Sequence, residues 1–115
     1  MAKILIKEVG NTLTPNREDT ICLGAKGRYT YVHLYDLKNP EKPIEKCASK
    51  SLKKFEAELE GPDFHRINRS TIVAIDFVDA ISDKGWVSLR YECKVNLKVS
   101  ADKRQALLDK IRDRT

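Results

Sequence analysis

Apolar and polar residues change rhythm several times along this chain, and each change predicts an element. Over residues 3–8, Ile4 and Ile6 alternate with Lys3, Leu5 and Lys7 closely enough to a period of two for a short strand. Gly10-Asn11 and Pro15-Asn16 mark turns, residues 19–23 read as a second strand, and Gly24-Ala25-Lys26-Gly27 reads as a flexible loop. Residues 28–37 form the clearest strand, because Tyr29, Thr30, Tyr31, Val32 and Tyr35 are β-branched or aromatic and suit a pleated, half-buried surface. After Asn39-Pro40 and Lys42-Pro43, residues 44–48 return as a hairpin partner.

The period then shifts from two to near 3.6. Leu52, Phe55 and Leu59 share one helical face, Ser49 or Ser51 caps its start, and Gly61-Pro62 ends it. Residues 72–81 are strand-like, and Asp83-Lys84-Gly85 is a hairpin turn. Residues 86–91 and 94–99 both alternate, with Glu92-Cys93 at the reversal between them. Ser100 caps a last helix over residues 101–112, whose stripe is Leu107, Leu108 and Ile111. Runs of strands separated by single helices, without βαβ alternation, predict a mainly β fold. The expected architecture is a compact antiparallel β domain of short strands and hairpins, with one short helix mid-chain and one C-terminal helix.

Length and charge narrow this further. The 115 residues suit one domain, residues 1–115, with no room for a second core. No apolar run is long enough to span a bilayer and no secretory signal opens the chain, so a cytoplasmic protein with no membrane partner is expected. Lys and Arg total 22 against 17 acids, a net charge of +5, which favours a polyanionic partner, nucleic acid above all. Cys22, Cys47 and Cys93 are widely spaced, with no C-x-x-C pair and no His cluster nearby in sequence; they read as reduced thiols, with no metal or cofactor.

Enzyme chemistry finds little footing. His33 and His65 lack a signature that would join either to a nucleophilic cysteine, and Asp76 and Asp79 read as a solvated strand face in place of a metal pair. Phosphate-cradling glycine motifs are missing. The basic residues say more, because they cluster at turns and element ends: Lys26 and Arg28; Arg66 and Arg69 around Asn68; Lys98, Lys103 and Arg104. Arg and Asn match base edges, and Lys and Ser match phosphates. A protein-interaction module using an exposed strand or the Leu52–Phe55–Leu59 face is the alternative.

The order of four segments carries a resemblance. Gly27-Arg28-Tyr29-Thr30-Tyr31-Val32-His33-Leu34, the Ser49-Lys50-Ser51-Leu52-Lys53-Lys54-Phe55 helix start, Phe64-His65-Arg66-Ile67-Asn68-Arg69-Ser70-Thr71, and Val95-Asn96-Leu97-Lys98-Val99-Ser100 together resemble the LytTR family of bacterial DNA-binding domains. The most specific piece is Phe-x-Arg-x-x-x-Ser, here Phe64, Arg66 and Ser70. The resemblance runs from about Ile21 to the C-terminus. It implies a transcriptional regulator, not an enzyme, that binds promoter DNA through loops entering successive major grooves at paired repeats, as a homodimer on DNA. It also implies a receiver domain and a sensor-kinase system if the chain belongs to a longer response regulator.

Carried onto this sequence, the first contact loop would be Lys26 to Arg28. The second would be Asn68, Arg69 and Ser70, and the third the stretch after Ser100 with Lys103 and Arg104. Arg66 would serve structure or backbone phosphates. The family pattern commonly has His at the place of Asn68, an aromatic at Thr71 and Asn at Ala74. It also has basic residues directly after Ser100, where this chain has Ala101-Asp102.

Overall fold

The structure, a computed structural model, describes residues 3–8 and 10–114, Glu8 by its backbone only. The expected domain of residues 1–115 therefore also takes in positions 1, 2, 9 and 115, which lie outside the described residues. In chain order the elements are β1 (Ile6–Glu8), β2 (Asn11–Leu13), β3 (Thr20–Lys26), β4 (Tyr29–Leu34), β5 (Ile44–Ala48), α1 (Leu52–Glu58), β6 (Phe64–Asn68), β7 (Thr71–Ala74), β8 (Val78–Ile81), β9 (Val87–Leu89) and α2 (Ala101–Arg112). This is the mainly β architecture expected, with antiparallel pairing throughout and a helix at each anticipated place.

A five-stranded sheet in the order β5-β4-β3-β7-β6 organises the molecule, flanked by the small ladders β1-β2 and β8-β9. Both of its faces are covered. On one lie Ile4, Ile6, Leu52, Phe55 and Leu59 from β1, its lead-in and α1 and its C-cap, packed on Leu23, Val32 and Ile72. On the other, Val87, Cys93, Val99 and Leu107 pack on Ile21, Cys22, Ile67 and Val73. Phe77 packs partly against both groups. The helical stripe Leu52, Phe55 and Leu59 is thus core, 5%, 0% and 3% exposed, and the apolar surface that a protein-interaction module would need on α1 is gone.

Burial on both faces explains where pattern reading erred. Residues Thr20–Gly24 of β3 and all of β7 are buried without alternation, so a period of two is not written into them. Gly24, Ala25 and Lys26 belong to β3, and the expected loop shrinks to the Gly27-Arg28 turn, with Gly27 at φ +63° where glycine is at ease. Residues 72–81 are two strands, β7 and β8, parted by a 3₁₀ turn at Ile75–Phe77. Residues 64–68, which the sequence pattern left without an element, form the edge strand β6.

Two corrections concern the C-terminal third. Residues 94–99 alternate as anticipated, yet they are not a strand: one bridge, Trp86 with Lys98, flanked by the bonds from Val87 N to Leu97 O and from Val99 N to Gly85 O, links them to β9 and its lead-in. Their alternation reflects an extended segment lying half-buried on the sheet. Ser100 occupies the N-cap position of α2, but its hydroxyl donates to Ile67 O at 3.1 Å and does not cap the helix. On α2 itself Leu107 is fully buried while Leu108 is 38% exposed, because the helix rests on β6 along a narrow stripe. Ser51 is the true cap of α1, accepting from Lys54 N at 3.2 Å.

The fold also gathers what the sequence separates. Cys22 and His33 are register partners on β3 and β4, and Cys93 packs over them. The three ligand atoms lie within 4.8 Å of one another, all buried. A grouping of two cysteines with one histidine that sequence spacing did not show is therefore present in space.

Candidate nucleic-acid interface

Strand pairing brings three chain reversals to one end of the sheet. β3 rises to Lys26 and turns back at Gly27-Arg28. β7 pairs antiparallel with β3, Gly24 opposite Thr71, and Ala25 N donates to Ser70 O at 2.8 Å. The Arg69-Ser70 turn between β6 and β7 consequently stands beside the end of β3. Ser100 N bonds Ile67 O at 2.8 Å, next to the end of β6, so α2 begins at the same end. Lys26, Arg28 and Arg69 are exposed, and none is ion-paired among the described residues.

Arg66 and Asn68 build this end. The Arg66 guanidinium donates to Asn68 O at 3.2 Å, to Arg69 O at 2.6 Å and to Glu56 Oε1 at 2.9 Å, tying the β6–β7 turn to α1. Asn68 is only 8% exposed. Its Nδ2 donates to Asn96 O at 2.9 Å and Lys98 O at 2.7 Å, and its Oδ1 accepts from Ser70 N at 2.8 Å and Ser70 Oγ at 3.0 Å. Both amide hydrogens and the carbonyl are committed internally. Arg104 is likewise committed, donating to Asp83 O at 3.0 Å and Ser82 O at 3.3 Å in the β8–β9 turn. Of the nine residues expected at the interface, Arg66, Asn68, Ser100 and Arg104 thus make internal bonds that shape it, as does Ser70 in part. Lys26, Arg28 and Arg69 present free cationic groups, and Lys103 lines a shallow groove with Arg69, Ser100 and Asp102.

Sequence reading placed Lys94 and Asn96 in a strand and so missed them. They lie in the segment that crosses this end, and they line one cleft together with Lys26 and Ser70. Lys94 and Asn96 are exposed; Val95 between them is half-buried over Gly24. A Cβ on Gly24 would sit 2.7 Å from Val95 Cγ1, so only glycine lets the segment approach this closely. That glycine, read as a loop tip, was the available signal. Lys98, exposed as well, bonds Lys84 O and sits 5.3 Å over the Trp86 ring.

His65 fixes α2 beside the rim, its Nε2 being 3.0 Å from Lys103 O. A carbonyl only accepts, so Nε2 carries the proton. Burial, ahead of the opposing backbone bond and aided by Lys110 and Lys103, holds the His65 pKa below its ordinary value. Lys110 Nζ donates to Phe64 O at 2.8 Å on the same strand.

A family model described as the LytTr DNA-binding domain matches residues 12–112. Among curated proteins, none is similar enough to count as a match. Among solved structures, the LytTr DNA-binding domain of a methyl-accepting/DNA response regulator from Bacillus cereus shares the fold, with a TM-score of 0.72 and 22% identity over 94% of this chain and 97% of that one. No helix among the described residues is long and apolar enough to cross a membrane.

Proposed function

Since the chain belongs to the LytTR family of DNA-binding domains, which act in transcription regulation as parts of response regulators, we propose that the end of the sheet carrying Arg28, Arg69 and Lys94 is its DNA-gripping surface. The protein binds duplex DNA sequence-specifically. In our reading, the Gly27-Arg28 and Arg69-Ser70 turns enter the major groove, with Arg28 and Arg69 at base edges and Lys26, Ser70, Lys94 and Lys103 at phosphates. Arg66, Asn68, Ser100 and Arg104 act as positioning residues: each holds the backbone that carries a contacting side chain. Binding proceeds without catalysis or a bound cofactor. Residues 1–115 act as one domain, two copies occupy paired promoter repeats, and a receiver domain with its sensor kinase supplies the signal when the domain is part of a longer regulator.

One observation carries this reading, the register that seats the Arg69-Ser70 turn beside the end of β3 through Ala25 N and Ser70 O. Contacting residues on short turns between paired strands lose little conformational freedom on binding, which favours affinity. Asp102 lies in the groove with Lys103 and would repel a phosphate, so Lys103 is the weakest of the contacts.

Selection from a random duplex pool at near-physiological salt tests the proposal. The expected result is an enriched motif with two half-sites about one helical turn apart. Arg69→Ala should then weaken the selected site by about 1–3 kcal/mol more than an unrelated duplex, as for a lost bidentate base contact. Equal loss on both would make Arg69 a phosphate contact, and a single isolated half-site would remove the paired arrangement.

A further inference from the structure

Apart from the basic rim, the described residues hold one group of soft ligands. Cys22 Sγ, Cys93 Sγ and a His33 ring nitrogen lie within 4.8 Å of one another. From these residues we infer a binding site for one thiophilic divalent cation, of which Zn²⁺ is the type, tying residues 93–98 to the sheet.

The ligand chemistry fits. Two thiolates and an imidazole are the donors that such an ion prefers, at about 2.3 Å to sulfur and about 2.0–2.1 Å to nitrogen. Ligand atoms in a tetrahedral site stand closer than 4.8 Å, so side-chain rotation within the existing fold completes the set. Each ligand comes from a different part of the chain: β3, β4 and the stretch after β9. The pair Cys22–His33 is fixed by strand register, which leaves Cys93 as the movable third arm.

Glu45 Oε2 is 3.9 Å from His33 Nε2, too long for a hydrogen bond, and Glu45 is half exposed. The fourth coordination position therefore falls to Glu45 or to water. A surface cleft reaches His33 and Cys93 and is lined by Glu41, Glu45 and Glu92 as well as Lys42 and Lys94; its carboxylates draw a cation inward.

Without an ion the trio would be a packed histidine between two thiols, and the two readings separate experimentally. The reduced, metal-free chain is titrated with Co²⁺ and then with Zn²⁺. The expected result is one Co²⁺ per chain, with a sulfur-to-cobalt charge-transfer band and the intense visible bands of tetrahedral geometry, both removed when Zn²⁺ displaces it. Cys93→Ser should weaken Co²⁺ binding at least tenfold and lose most of the charge-transfer intensity, and His33→Gln should weaken binding while keeping that band. Cys47→Ser, which alters the exposed thiol outside the trio, should leave both unchanged. Zn²⁺ should raise the unfolding temperature of the unsubstituted chain and not that of Cys93→Ser. The inference is overturned if the folded chain shows no tetrahedral bands, if the bands persist in Cys93→Ser, or if they depend on Cys47. A Cys22–Cys93 disulfide that forms equally fast with saturating Zn²⁺ present would overturn it too, since bound thiolates are protected.

Discussion

Asn68 donates its side-chain amide to the backbone carbonyl of Lys98, 30 residues further along, at 2.7 Å. With the second bond to Asn96 O, this one side chain secures the crossing segment against the end of β6. Asn68→Ala leaves two carbonyls and the Ser70 amide without their partner. Each buried group so orphaned costs about 1–3 kcal/mol. The urea midpoint should fall accordingly, and DNA affinity should fall on every sequence alike because the rim loses its support. An unchanged midpoint with loss confined to the selected site would instead make Asn68 a base contact.

Gly24→Ala should destabilise by about 1–3 kcal/mol, the usual cost of an overpacked contact, since the new Cβ meets Val95 Cγ1 at 2.7 Å. Adding Val95→Ala should restore part of that loss, because the two changes act on a single contact and are not additive. Denaturant midpoints of the two single variants and the double variant measure the coupling, and strict additivity would contradict this contact.

Lys26→Ala and Lys94→Ala should each reduce the slope of log affinity against log salt by about 0.9, as one phosphate contact fewer. The loss should be similar on selected and unrelated duplexes. A variant that leaves the slope intact has no phosphate partner, and titrations across a salt series read this directly.

His65 makes stability depend on pH. Its folded pKa lies below the unfolded value of about 6.5, so between the two the unfolded chain binds more protons and acid favours unfolding. The contribution is absent above the unfolded pKa and grows as pH falls through it toward the folded one. His33 is shifted the same way by burial, so His65→Gln should lessen, and not abolish, the drop in urea midpoint from about pH 7.5 to about pH 5.5. An identical pH profile in His65→Gln would show that the burial of His65 imposes no such penalty.

Elements with a strong local signal were the legible ones. The start of α1 at Leu52 and its core stripe followed from the periodicity of Leu52, Phe55 and Leu59 against a polar opposite face, β4 from its run of β-branched and aromatic residues, and β5 as its hairpin partner after the proline-marked turns. In β3 and β7 both faces are covered, so no polar face marked where a strand ends: residues 19–23 and 72–81 were legible as strands, yet β3 runs on through Gly24 to Lys26 and residues 72–81 divide into β7 and β8. The candidate site followed suit. Arg28 and Arg69 were legible as cations at turns, whereas the internal bonds of Asn68 were not, because nothing local shows which way a side chain bonds.

Composition and order alone determined that this is a basic, mainly β chain carrying the residue pattern of a DNA-binding family, since charge, turn chemistry and periodicity are local properties. Tertiary structure decided the rest. Asn68 faces inward because the carbonyls of Asn96 and Lys98 arrive from 28 and 30 residues away, and Cys93 meets Cys22 and His33 because the chain folds back across the sheet. Contacts of that range depend on which surfaces are buried together, and no window of neighbouring residues contains that information.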